Sequence, residues 1–83
     1  MNETIRALLA KLGGLPTAVD TLADDADLYA AGLSSFASVQ LMLGLEEAFD
    51  MEFPDHLLNR KSFASIAAIE ATVATIVGDR KVA

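Results

Sequence analysis

The sequence predicts an all-α fold: a four-helix bundle with a long first loop and a short third helix. Apolar residues recur at helical spacing in three segments of the 83-residue chain. No segment alternates apolar and polar residues over the length of a strand, and no Asn-Gly or Asp-Gly pair marks a hairpin. The chain is 53% hydrophobic and 22% charged, a composition that favours folding over disorder. Its length suits a single small domain, residues 1–83.

The first helix is predicted from Asn2, which is placed to cap it, to the Gly13-Gly14 pair, which stops it. Its apolar residues follow the i, i+3, i+4, i+7 pattern of one helical face: Ile5, Leu8, Leu9 and Leu12.

Residues 15–33 show no sustained period and are predicted to form a long loop. A loop of this length needs anchors on the core, and its apolar residues supply them: Leu15, Val19, Leu22, Leu28, Tyr29 and Leu33. We expect a short helical turn from Asp25 to Ala30, with Gly32 ending it.

The second helix begins at Ser34 or Ser35 and runs to about Asp50. At about 100° per residue, its apolar residues form two separate stripes. The first, predicted to face the core, contains Leu41, Leu45 and Phe49. The second contains Phe36, Val39 and Leu43, with Gln40, Glu46 and Glu47 beside it. An apolar stripe edged by carboxylates is typical of a surface that contacts another protein; the alternative is that the first loop covers it.

Two more helices are predicted after the second. Pro54 suits the first position of a short third helix, residues 54–59. Ser62 is placed to cap a fourth helix, and Gly78 to end it. The inward-facing residues of the fourth helix are predicted to be Phe63, Ile66, Ile69, Val73 and Ile76.

Charge is distributed unevenly along the chain. The net charge is −6, and residues 12–59 contain nine acidic residues but neither Lys nor Arg. Binding of nucleic acid requires a basic surface, so we expect no nucleic-acid partner. The acidic middle would repel anionic membrane surfaces and attract partners that carry Arg and Lys. The alternative is an acidic surface that only keeps a small protein in solution.

Few residues could perform chemistry. The absence of Cys and the single His56 exclude thiolate metal sites and histidine clusters, and we expect no metal. No G-x-S-x-G motif or nearby base could activate a serine, so the chain is not expected to be an enzyme, and His56 is expected on the surface. The N-terminus lacks a signal-peptide pattern and no apolar run reaches about 18 residues, so we expect a cytoplasmic location and no membrane span.

Ser34 and Ser35 begin the second helix, and at least one of them is expected to cap it. A helix N-terminus presents unpaired N–H groups and a partial positive charge, which together stabilise a phosphate. An exposed serine at this place, beside an apolar stripe, is therefore suited to carry a phosphodiester-linked group.

The order of motifs along the chain resembles the acyl carrier proteins. These motifs are Gly32-Leu33-Ser34-Ser35-Phe36, Leu45-Glu46-Glu47-Ala48-Phe49 and Phe53-Pro54-Asp55. The resemblance covers essentially the whole chain and implies a four-helix acyl-carrier-like bundle, a monomer when free. It implies that Ser35 receives 4′-phosphopantetheine from coenzyme A, whose thiol carries cargo as a thioester. It also implies a partner-docking surface on the second helix: Ser34, Phe36, Val39, Gln40, Leu43, Glu46 and Glu47.

Within that family, the chain most resembles the stand-alone aminoacyl carrier proteins, which have Ser-Ser at this point. Several acids usual in the family are replaced here, by Ser34, Ala37, Gln40 and Ala48. This resemblance implies loading with a small amino acid, glycine or alanine, by a ligase similar to class II aminoacyl-tRNA synthetases. The partners implied are a phosphopantetheinyl transferase, this ligase or another acyl-loading enzyme, and a downstream acceptor enzyme. A carrier for a fatty-acid, polyketide or other acyl-transfer pathway is one alternative, and an unmodified acidic helical protein-interaction module is another.

Overall fold

The computed structural model describes the backbone of residues 1–81 and the side chains of residues 1–78. Three α-helices form the bundle: α1 (Asn2–Leu12), α2 (Ser35–Phe49) and α3 (Ile66–Lys81). Three short 3₁₀ turns lie between them, at Val19–Thr21, Asp55–Leu57 and Arg60–Phe63. No strand occurs within residues 1–81, so the predicted all-α class is confirmed.

The predicted count of four helices is wrong, because the third is not an α-helix. Instead of a helix over residues 54–59, Pro54 is extended and one 3₁₀ turn follows it. The backbone of Asn59 is also extended, and its side chain accepts a hydrogen bond from the N–H of Ser62. This contact starts a separate 3₁₀ turn, so the local side chain directs the backbone away from a continuous helix.

Two predicted caps and one predicted helix end are also wrong. Asn2 is the first residue of α1 rather than its cap. Ser62 lies in a 3₁₀ turn, and the Oγ of Ser65 accepts from the N–H of Ala68 at 3.0 Å, at the start of α3. Gly78 does not end α3, which continues to Lys81, because nothing at this glycine requires a left-handed backbone.

The long first loop is anchored on the core as predicted. Its apolar residues are either buried (Val19, Leu28 and Leu33) or packed half-buried against the core (Leu15, Leu22 and Tyr29). Two backbone hydrogen bonds of 2.8 Å join it to the chain around the start of α3, from Leu28 to Ala64 and from Ala67 to Asp24. The helical turn expected over residues 25–30 is a series of turns instead. The carboxylate of Asp27 accepts from the N–H groups of residues 29 and 30, and so competes with helical backbone pairing.

The core lies where the three helices meet. Fully buried side chains come from every helix: Ile5 and Leu9 of α1, Leu41 and Leu45 of α2, and Ile66, Ile69 and Val73 of α3. α1 crosses α2 at Gly44, where a Cβ atom would lie only 2.8 Å from Cδ1 of Leu12. The helix crossing therefore orients α2, burying its core stripe and leaving the other stripe outside.

A polar network around Arg6 joins α1, the first loop and α3. The Arg6 guanidinium donates to the carbonyl of Val19 at 2.7 Å and to the carboxylate of Asp24 at 2.6 Å. The amide of Asn2 donates to Asp24 at 3.0 Å and to Glu70 of α3 at 2.9 Å. Hydrogen bonds from Asn2 and Arg6 lower the pKa of Asp24 below its ordinary value.

Candidate functional site

The two adjacent serines occupy different positions at the start of α2. Ser34 is the cap residue, with an extended backbone, and its Oγ accepts from the N–H of Ala37 at 3.0 Å. Ser35 is the first residue of the helix and is exposed. Its Oγ makes no hydrogen bond with any residue that the structure describes, and is thus accessible for modification.

The Gly32-Leu33 pair places the serines at this point. Gly32 has a φ of +118°, and a Cβ there would lie 3.0 Å from Cδ of Pro16. Only glycine adopts this backbone readily, so the chain can turn sharply here. Leu33 is then buried, and its N–H donates to the carbonyl of Leu28 at 2.9 Å. The turn and the buried leucine hold the start of α2 at the surface of the bundle.

The first turn of α2 favours an attached anion. The first N–H groups of a helix lack intrahelical partners and carry the positive end of the helix dipole. No acidic residue lies in this first turn, so no carboxylate competes with an anion. A phosphodiester on Oγ of Ser35 would therefore gain favourable electrostatics, and the residues present fit a phosphopantetheine arm.

The second apolar stripe of α2 is exposed. Phe36, Val39 and Leu43 are 74%, 51% and 49% exposed, so the first loop does not cover them. Glu47 is exposed and Gln40 is half-buried beside this stripe.

Glu46 has a structural contact that the sequence did not indicate. Its carboxylate accepts from the backbone N–H of Phe53 at 3.0 Å and fixes the chain after α2. Between them, Asp50 adopts a left-handed backbone with a φ of 49°, which ends the helix. Glu46 therefore holds the end of α2 in addition to any role in docking.

A groove of about 460 Å³ begins at Ser35 and follows α2. Val39 and Met42 line it on the α2 side, and Leu58 and Phe63 contribute further apolar lining.

Tyr29 and Arg60 also line the groove, although sequence reasoning assigned neither of them to a site. The guanidinium carbon of Arg60 lies 3.9 Å from the centre of the Tyr29 ring. The Tyr29 hydroxyl donates to the carbonyl of Arg60 at 3.0 Å. These residues are 31 positions apart, and no motif or spacing in the sequence would have paired them.

The remaining expectations concern metals, His56 and membranes. Within the described residues, no cluster of three or more His, Cys, Asp or Glu side chains could hold a metal ion. His56 is exposed on its 3₁₀ turn, as expected. None of the described helices has both the length and the apolar character that crossing a membrane requires.

Comparison with known proteins adds independent support for a carrier role. Residues 3–73 match the family described as phosphopantetheine attachment site. The chain is 75% identical to the aminoacyl carrier protein of Agrobacterium fabrum, over the full length of both proteins.

Two crystal structures contain similar chains. The first is engineered Bradyrhizobium japonicum glycine:[carrier protein] ligase complexed with carrier protein from Agrobacterium tumefaciens and AMP. One chain of this complex matches the present chain with a TM-score of 0.86 and 82% identity, over 88% of the present chain and 97% of the chain in the complex. The second is the Bradyrhizobium japonicum ligase complexed with its cognate carrier protein and an analogue of glycyl adenylate. One chain of this second complex matches the present chain with a TM-score of 0.77 and 32% identity, over 89% of the present chain and 95% of the chain in the complex.

The family match covers most of the chain, and the identity to the Agrobacterium fabrum protein extends over all of it. The chain belongs to the phosphopantetheine attachment site family and is a carrier protein with a covalently attached phosphopantetheine.

Proposed function

We propose that this protein is an aminoacyl carrier that holds glycine as a thioester on a 4′-phosphopantetheine arm attached to Ser35. Ser35 is assigned as the attachment site because the hydroxyl groups of the two serines have different surroundings. The hydroxyl of Ser34 is engaged in capping α2, whereas that of Ser35 is exposed and unpaired among the described residues.

The residues of this chain bind and orient the arm, and they perform no bond-making chemistry of their own. The chain has no Cys and therefore no thiol of its own. When attached, the arm supplies the thiol that holds the cargo. The N–H groups at the start of α2 stabilise the charge of the phosphodiester. Partner enzymes supply the catalysis: a phosphopantetheinyl transferase, an amino acid:carrier protein ligase and a downstream acceptor enzyme.

Glycine is the proposed cargo because of the related structures. The carrier chains similar to this one occur in complexes with glycine:[carrier protein] ligases. A small cargo of this kind needs no shelter in the core, where the α2 residues Leu41 and Leu45 are fully buried. Alanine is the other small amino acid that the sequence resemblance implies.

The exposed stripe of α2 is the proposed docking surface for these enzymes. Phe36, Val39 and Leu43 supply apolar area that a partner can bury, worth about 1.5–3 kcal/mol for each fully buried side chain before binding costs. Glu47 and Gln40 offer polar contacts at its edge, and Ser34 lies beside the modified serine. We propose that the protein acts in the cytoplasm as a monomer between these encounters.

The direct test is loading of the purified protein. Protein that already carries the arm is incubated with a glycine:carrier protein ligase, ATP and glycine, and its intact mass is measured before and after hydroxylamine treatment. We expect a glycyl adduct that hydroxylamine removes, and none on Ser35→Ala. If the ligase is active on its own carrier but forms no adduct here, the proposed aminoacyl function is wrong.

A further inference from the structure

Arg60 is a cation at the groove that begins at the modified serine. It is the first Lys or Arg after Lys11, so the 48 consecutive residues before it contain neither Lys nor Arg. It lines the same groove as Ser35. A positive charge therefore lies in the same groove as the residue to which an anionic group would be attached.

Tyr29 restrains the position of this cation. The guanidinium stacks over the Tyr29 ring at 3.9 Å, and the Tyr29 hydroxyl bonds the Arg60 carbonyl at 3.0 Å. Stacking on an aromatic face holds the plane of a guanidinium and leaves its N–H edge available for hydrogen bonds. Arg60 is thus held at the groove by both its side chain and its backbone.

The hydrogen-bonding capacity of Arg60 is unused within residues 1–78. Arg6, by comparison, donates to Asn2, Val19 and Asp24. The Arg60 guanidinium makes no hydrogen bond or ion pair with any described residue, although the chain has twice as many acids as bases. Its five N–H donors suit the oxygens of a phosphate, which guanidinium groups bind through two parallel hydrogen bonds.

We propose that Arg60 binds the phosphodiester of the arm attached to Ser35, so that the arm lies in the groove along α2. This inference rests on the proposed attachment at Ser35. The start of α2 and the Arg60 guanidinium then contact the same anion, and Val39 and Met42 line the groove beyond it. Arg60 is a positioning residue, since it sets the direction of the arm and takes no part in the thioester chemistry.

The experiment compares three forms of the protein carrying an isotope-labelled arm: the unaltered chain, Arg60→Gln and Lys61→Gln. Lys61 is the matched control because it is the neighbouring exposed base in the same 3₁₀ turn but does not line the groove. Mass spectrometry first verifies that each form carries the arm. The ³¹P chemical shift of the phosphodiester and NOEs from the arm to Tyr29 and Val39 are then measured.

We expect NOEs between the arm and the groove in the unaltered chain and in Lys61→Gln. In Arg60→Gln these NOEs disappear and the ³¹P resonance moves toward that of the same phosphodiester in the urea-unfolded protein. Equal ³¹P shifts in all three forms, or an equal change in both variants, would overturn the role of Arg60. If no arm attaches at Ser35, the proposed function and this inference are both wrong, whereas an attached arm without groove contacts overturns only the inference.

A salt titration of the unaltered protein tests the same contact without any substitution. Raising the ionic strength from about 0.01 M to 1 M shortens the Debye length from about 30 Å to about 3 Å, and an exposed ion pair weakens accordingly. We expect the ³¹P shift and the NOEs to approach those of Arg60→Gln at high salt. An unchanged ³¹P shift across this range would contradict an ionic contact.

Discussion

Ser34 and Ser35 have the same side chain, yet the Ser34 hydroxyl accepts a hydrogen bond from Ala37 and the Ser35 hydroxyl is exposed. The sequence predicted that a helix starts at this pair and that at least one of the two serines caps it, but it did not show which one. That assignment depends on the residue at which the backbone becomes helical, and Gly32 and the buried Leu33 determine this. Once α2 begins at Ser35, the N–H of Ala37 lies within 3.0 Å of the Ser34 hydroxyl, and the Ser35 hydroxyl remains exposed.

Ser34→Ala should lower stability without preventing modification. Loss of a serine cap costs about 1 kcal/mol, within a range of about 0.5–2 kcal/mol. We therefore expect a lower urea midpoint with an unchanged slope. Ser35→Ala is the control, and should retain stability but lose modification. A folded Ser34→Ala protein that accepts no arm would show that the roles of the two serines are reversed.

At the scale of the elements, the helices and their buried faces follow from periodicity, but their ends do not. Asn is a residue type that often caps helices, yet the amide of Asn2 contacts Asp24 and Glu70, which are 22 and 68 positions away. Two serines, Ser62 and Ser65, precede α3 and could each cap it. Ser65 is the cap, because Ser62 lies inside the 3₁₀ turn that Asn59 begins. Contacts of these kinds depend on how segments fold together, so local pattern could not reveal them.

Two glycines provide a matched pair for testing the turn before α2. Gly32→Ala places a Cβ on a backbone with a φ of +118° and 3.0 Å from Pro16, and strain of this kind costs about 1–3 kcal/mol. Gly78→Ala places a Cβ inside α3 with no atom within 4 Å, and should stabilise by about 0.5–1 kcal/mol. Thermal unfolding of both variants measures the difference. Equal effects of the two substitutions would contradict the account of this turn.

The network that joins α1, the first loop and α3 predicts a pH dependence. The folded-state pKa of Asp24 lies below its ordinary value, because Asn2 and Arg6 donate hydrogen bonds to its carboxylate. Its contribution to stability is therefore fully present above the unfolded-state pKa, and is lost as the pH falls through the lower folded-state pKa. Asp24→Asn should remove this part of the acid dependence of thermal unfolding. Asp25→Asn, a neighbouring exposed carboxylate, is the control and should behave like the unaltered chain.

At the level of the whole molecule, the bundle buries one face of α2 and leaves the opposite face exposed. One face of α2 is fully buried at Leu41 and Leu45, and the other leaves Phe36 and Leu43 in solvent. The two-stripe pattern in the sequence predicted this division. It did not predict the groove, because the residues that complete it, such as Tyr29 and Arg60, belong to separate segments outside α2.

Leu43→Ser should weaken recognition by the ligase while leaving the fold intact. Leu43 is 49% exposed, so its removal costs the core little. Losing its contact in a complex should raise KM for the ligase about tenfold, equivalent to about 1.4 kcal/mol. Thr75→Ser, an exposed position on α3, is the control. An unchanged KM for Leu43→Ser would show that the ligase does not use this stripe.

Whether Ser35 carries the arm is measured by the intact mass of the apo protein after incubation with coenzyme A and a broad-range phosphopantetheinyl transferase. The unaltered chain, Ser34→Ala and Ser35→Ala are treated in parallel, with a known carrier protein as a positive control. We predict a gain of one phosphopantetheine in the first two and none in Ser35→Ala. If Ser35→Ala gains the group, or if no form does while the control is modified, the attachment site proposed for this carrier protein is wrong.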